Sequence, residues 1–161
     1  KVRDAESLMF AYLTGARKHG VMNLTTEDID FKNKQIHLRE TKTKTSDRFI
    51  PISKELEDFL KSLDLSKKYL FRLSDWKEKK MIDSISEICG FRVMFKDMRT
   101  TYATKLRESG IAPEIVKKWL GHSSYGITEK YYVKISQAFE NKEIEKLNLL
   151  NFTTQNTTQN K

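Results

Sequence analysis

Cysteine is almost missing from this 161-residue chain: Cys89 stands alone. An intramolecular disulfide is therefore excluded, and a cysteine-based metal cluster has too few ligands. Proline occurs twice and glycine six times, with no long Gly/Pro/Ser linker and no internal repeat. The length then indicates one domain with a real core to bury. No apolar run approaches the length that a bilayer span requires, and no signal-peptide hydrophobic segment opens the chain. Acidic side chains are the minority charge, 22 against 30 Lys and Arg, for a formal net charge of +8. That excess points to a polyanionic partner, nucleic acid or an anionic membrane. With no membrane segment, an intracellular protein acting on DNA or RNA is the expectation.

The chain opens on Lys1 and not on methionine, which reads as a piece of something longer. Its end, "NFTTQNTTQNK", is polar and low in complexity. A domain over residues 1–150 and a disordered tail over 151–161 are expected. Leu8, Met9, Tyr12 and Leu13 recur at helical spacing, predicting a first helix from Asp4 to about Arg17. "LTTEDIDF" reads as a turn or short helix. "KQIHLRE" and "DRFIPIS" alternate as strands do, so residues 35–52 are expected to form a β-hairpin. Ser53 and Ser74 are placed to cap the helices "KELEDFLKSL" and "DWKEKKMIDSISEIC", the second stopping at Gly90.

Met98, Tyr102 and Leu106 form an apolar stripe in "FKDMRTTYATKLRESG", with Gly110 as its stop. "APEIVKKWLG" starts on Pro113, ends at Gly121 and buries Ile115, Val116, Trp119 and Leu120. A last helix is expected from Ser136 to Leu149, with Phe139, Ile144 and Leu147 apolar. The fold class is mainly α with a small antiparallel β-hairpin, an α+β arrangement.

Four segments hold basic groups where chemistry could use them. "TGARKHG" places Arg17 at the end of the first helix, and "ETKTKTSDRFIP" puts Lys42 and Lys44 at the hairpin tip. Lys96 and Arg99 in "FKDMR" are three residues apart and share a helix face. His122 follows Arg99 by 23 residues, and Tyr131 follows His122 by nine. Taken singly, each has an ordinary reading as a surface cation, a helix cap or a half-buried aromatic. Their joint order and spacing do not.

In that order the segments resemble the catalytic domain of the tyrosine recombinases, the phage-integrase family, over about residues 5–135. "YLTGARKHGVMNLTTEDID" is similar to its first arginine box and "ETKTKTSDRFIPI" to its β-hairpin lysine motif. "FKDMRTTYATKLRESGIAPEIVKKWLGHSSYGITEKYY" resembles its second box and nucleophile segment almost without gaps. The resemblance implies that Arg17 and Arg99 hold the non-bridging oxygens of one scissile DNA phosphate, through planar, permanently charged forks of donors. It implies Tyr131 as nucleophile, Lys42 as the acid for the leaving 5′ oxygen with Lys44 as fallback, and His122 as a donor to the phosphate.

No cofactor or metal is implied, and self-association on double-stranded DNA is, with the last helix packing on a neighbour. Adjacent tyrosines on a helix point about 100° apart, so only one of Tyr131 and Tyr132 faces the phosphate. Arg48, Lys117 and Lys118 are further candidates for DNA contact.

Two positions depart from the family. Lys96 stands where it usually has histidine; some members, archaeal viral integrases among them, carry lysine there. As a base, a lysine would need a strongly lowered pKa. Gly20 replaces an acidic residue that often follows the first arginine, leaving Glu27 or Asp28 to support Arg17. Two rival readings remain at this level. One is a non-catalytic helix-turn-helix or crippled DNA-binding module presenting Lys117 and Lys118. The other is a type IB topoisomerase-like relaxing enzyme.

Overall fold

The computed structural model describes residues 4–39, 47–121, 137–147 and 149, with 137–139 described by backbone alone. The helices are α1 (Glu6–Thr14), α2 (Lys18–Met22), α3 (Lys54–Lys61), α4 (Asp75–Cys89), α5 (Phe95–Glu108), α6 (Pro113–Leu120) and α7 (Gln137–Ile144). The strands β1 (Ile29–Asp30), β2 (Gln35–Leu38) and β3 (Arg48–Pro51) form one antiparallel sheet in that order. Ile36 faces Ile50 and His37 faces Phe49 across β2 and β3. Among the described residues no helix is long and apolar enough to cross a membrane.

The expected caps are present. Ser53 accepts from the Leu56 amide and Ser74 from the Lys77 amide, and α4 ends on a left-handed Gly90. Pro113 opens α6 and Gly121 closes it. The hairpin expected over residues 35–52 pairs as read, but a third strand joins it: Ile29 pairs with Ile36 across a turn held by Asp30 and Asn33. At two residues β1 is too short to show an alternation.

The first helix differs from its expectation. It stops at Thr14, and Arg17 occupies the cap position of a new short helix, α2. The break has a local cause. Thr14 Oγ1 donates to the Phe10 carbonyl and accepts the Ala16 amide, and Gly15 turns left-handed at φ +64°. Gly15 is also where α1 meets α5: a Cβ there would lie 2.5 Å from Tyr102 Cδ1 and 3.1 Å from Leu120 Cδ2. Ala11, one turn earlier, is fully buried too. Small residues on this face let the two helices approach closely. Met9, expected on the apolar stripe, is 40% exposed; Leu8, Phe10 and Leu13 fill the core instead.

Helix α7 ends at Ile144, five residues short of the expected end. It docks on its own chain through two buried carboxylates. Glu143 accepts the Ala112 amide at the start of α6 at 3.0 Å and pairs with Lys146 at 2.5 Å. Glu140 pairs with Lys118. Beyond α7, Leu147 and Leu149 are buried, and the Tyr12 hydroxyl donates to the Leu149 carbonyl. The Lys146 ammonium and the Ala112 amide hold the Glu143 carboxyl below its ordinary range. A lowered folded-state value stabilises above the unfolded pKa and is lost as pH falls through the folded one. The contribution of Glu143 to docking α7 is therefore lost only in acid, below the ordinary glutamate range. Phe139, expected among the apolar residues of this helix, lies outside the described side chains, as residues 151–161 lie outside the described chain.

Gly15→Ala should cost about 2–4 kcal/mol from left-handed strain plus overpacking, lowering the thermal midpoint by roughly 10 °C. An unchanged midpoint in calorimetry would show that Tyr102 does not close on this position.

Candidate active site

Arg99 lies in the second turn of α5, and its guanidinium spans two other segments. Nη1 donates to the Gly15 carbonyl at 2.8 Å and Nη2 to the Leu120 carbonyl at 2.5 Å. Gly15 opens the corner that carries Arg17; Leu120 ends the helix that leads to His122. A second guanidinium meets the same helix end, where Arg48 Nε donates to the Trp119 carbonyl at 2.5 Å. The last carbonyls of a helix lack intrahelical donors and form its negative pole. Two arginines, from α5 and β3, satisfy the end of α6 together.

Around this junction the expected cations are placed as follows. Arg17 is in an extended cap conformation with a partly exposed side chain. Lys96, one turn before Arg99 on α5, is exposed. Arg48, expected at the DNA surface, is only 6% exposed and serves as a tie between β3 and α6. Lys117 is exposed, whereas Lys118 is paired with Glu140, its pKa lowered by partial burial. Lys42, Lys44, His122 and Tyr131 lie outside the described residues.

Asp28, expected with Glu27 to support Arg17, pairs instead with Arg39. Asp28 is buried; it accepts the Thr25 amide and hydroxyl and pairs with Arg39 at 2.7 Å. Arg39 follows β2, so Asp28 anchors one foot of the lysine loop. The other foot is held by His37 Nε2 and Asp47 Oδ1 at 2.6 Å, with His37 stacked on Phe49 at 4.4 Å. Sequence reasoning missed both anchors, although "TTED" carries the capping-box spacing that fixes Asp28 on Thr25.

Two other tyrosines are poor nucleophiles. Burial pushes the Tyr102 phenol far above its usual range, and burial also raises Tyr12, with Lys105 partly opposing. The helix-turn-helix reading loses support as well, because α6 commits Ile115, Trp119 and Leu120 to the core.

A helical domain with a small antiparallel sheet, its α1, α5 and α6 joined at Arg99, has the fold of tyrosine-recombinase catalytic domains. The sequence profile described as "Phage integrase family" matches residues 1–138, and the chain belongs to that family. It is 29% identical over 163 residues to the tyrosine recombinase XerA of Pyrococcus furiosus, covering 93% of this chain and 56% of that protein. Among solved structures it resembles the integrase of mycobacterium phage Brujita, with a TM-score of 0.72 at 16% identity, over 94% of this chain and 53% of that one. The Tn1549 transposon integrase, solved in complex with transposon right-end DNA, gives a TM-score of 0.58 at 20% identity, over 88% and 58%. The chain thus spans about half the length of the relatives it matches.

A lysine at position 99 has one ammonium in place of a planar fork and cannot reproduce two divergent carbonyl bonds. Arg99→Lys should lower unfolding stability by about 1–3 kcal/mol, read from urea denaturation. Wild-type stability would show that the bridge contributes nothing.

Proposed function

We propose that this chain is the strand-cleaving and rejoining domain of a site-specific DNA recombinase, an integrase of a virus or mobile element. The observation that supports the reading is the Arg99 bridge between the Gly15 and Leu120 carbonyls, two residues from Arg17 on one side and at the end of α6 on the other. The DNA named with the Tn1549 integrase and the recombinase relatives support double-stranded DNA as substrate. The net charge of +8 suits that polyanion.

In this proposal Arg17 and Arg99 hold the two non-bridging oxygens of one phosphodiester. The Tyr131 oxygen bonds to phosphorus, its phenolic proton passing to solvent water, as the bond to the 5′ oxygen breaks. Lys42 gives that oxygen its proton. One phosphate ester is exchanged for another, so the reverse attack by the 5′ hydroxyl rejoins the strand without ATP. The pentavalent transition state carries more negative charge than the ground state, so fixed cations stabilise it preferentially. Lys96 and His122 donate to the same phosphate. Lys117, and Lys44 at the loop tip, contact the backbone nearby.

Self-association on DNA belongs to the proposal. For α7 to pack on a neighbour, its contacts through Glu140 and Glu143 to its own chain have to exchange.

The test is a nicked duplex incubated in EDTA. A covalent adduct on the 3′ phosphate is expected from the wild type and none from Tyr131→Phe. An adduct that survives Tyr131→Phe but not Tyr132→Phe would overturn the nucleophile assignment. Affinity for DNA should fall steeply and log-linearly with salt, and a flat titration would contradict backbone binding. Truncation after Ile135 should abolish multimers on DNA in gel-shift or light-scattering measurements; unchanged multimers would rule out the role of α7.

A further inference from the structure

The corner is held ahead of Arg17 at Gly15 and Ala16, and the residues after Arg17 form a short helix. Helix α2 is five residues long, has no side-chain cap at Arg17 and no acidic residue in its first turn. A helix this short does not sustain itself. Its first residue, Lys18, is instead fixed from 60 residues away: Lys18 Nζ lies 2.6 Å from Glu78 Oε2.

The partners differ in how freely they move. Lys18 is 50% exposed, whereas the Glu78 side chain is 16% exposed and sits in the first turn of α4. That turn is pinned by the Ser74 cap and by the Glu78 amide donating to the Ser74 carbonyl. One turn further on, Met81 is buried and its sulfur accepts from the Ser7 hydroxyl of α1. The carboxylate is the fixed member and the lysine the held one.

The ion pair shares a groove with Lys96, a residue proposed to donate to the phosphate. Lys18 and Glu78 line one groove of about 530 Å³ together with Ile82, Met94, Phe95 and Lys96. On one side it meets the residue after Arg17; on the other it meets Lys96, three residues before Arg99. Asp75, Asp83, Lys79 and Arg92 line the same groove, so Glu78 selects one position for the Lys18 ammonium among several charges.

We propose that Glu78 is a positioning residue for strand cleavage, acting through Lys18 to fix the corner from which Arg17 reaches the scissile phosphate. This rests on the function proposed above. Exposed ion pairs contribute little to stability, so the effect falls on rate and not on folding.

The experiment is a double-mutant cycle on the cleavage rate, using the nicked duplex with protein in excess. Glu78→Gln and Lys18→Met should each slow adduct formation about two- to fivefold, and the double variant should be no slower than either single one. Glu78→Asp should recover part of the loss. Wild-type cleavage by Glu78→Gln, or a double variant slowed by the product of the two single effects, would overturn the proposal. If Glu78→Gln lowers the thermal midpoint substantially, Lys18→Met decides, because a half-exposed lysine leaves no core gap; full activity from it overturns the inference. Failure of the wild type to form any adduct would instead count against the recombinase reading itself.

Discussion

The arrangement depends on how the carbonyl end of α6 is satisfied. A helix end buried inside a domain needs donors, and here they come from two guanidiniums reaching in from α5 and β3. The same Arg99 that meets α6 also meets Gly15, so one side chain joins three segments far apart in sequence. The group that closes the scaffold is also the group proposed to hold a phosphate. Positioning and chemistry are then not separable at this residue, and the planar fork of arginine suits both.

Buried carboxylates organise the periphery in the same way. Asp28 fixes the approach to the lysine loop, while Glu143 fixes α7 on the start of α6. Each accepts a backbone amide and pairs with a cation, which offsets the desolvation that burial imposes. These are ties between elements. They account for acidic residues that a strongly basic chain keeps in its interior.

Much of the fold was legible because its signals are local. Ser53, Ser74, Pro113, Gly90 and Gly121 each act within a turn of where they stand, and the β2–β3 pairing follows from alternation. The candidate site was proposed from the spacing of Arg17, Lys96 and Arg99; the backbone bonds of Arg99 are what no spacing announces. The break before Arg17 was not, because the apolar pattern runs through it and only the close approach of Tyr102 reveals why Gly15 must end the helix. The burial of Arg48, Glu140 and Glu143 was not legible either. Each depends on a partner contributed by another element, 71 residues away for Arg48, and charge in a sequence reads by default as surface.

The tie through Arg48 makes the sheet and α6 a mechanical unit. Arg48 begins β3, just after the lysine loop, and grips α6 two residues before Gly121. A displacement of β3 is carried through the Arg48 guanidinium to the Trp119 carbonyl and so to the last turn of α6. Strand and helix end therefore move together.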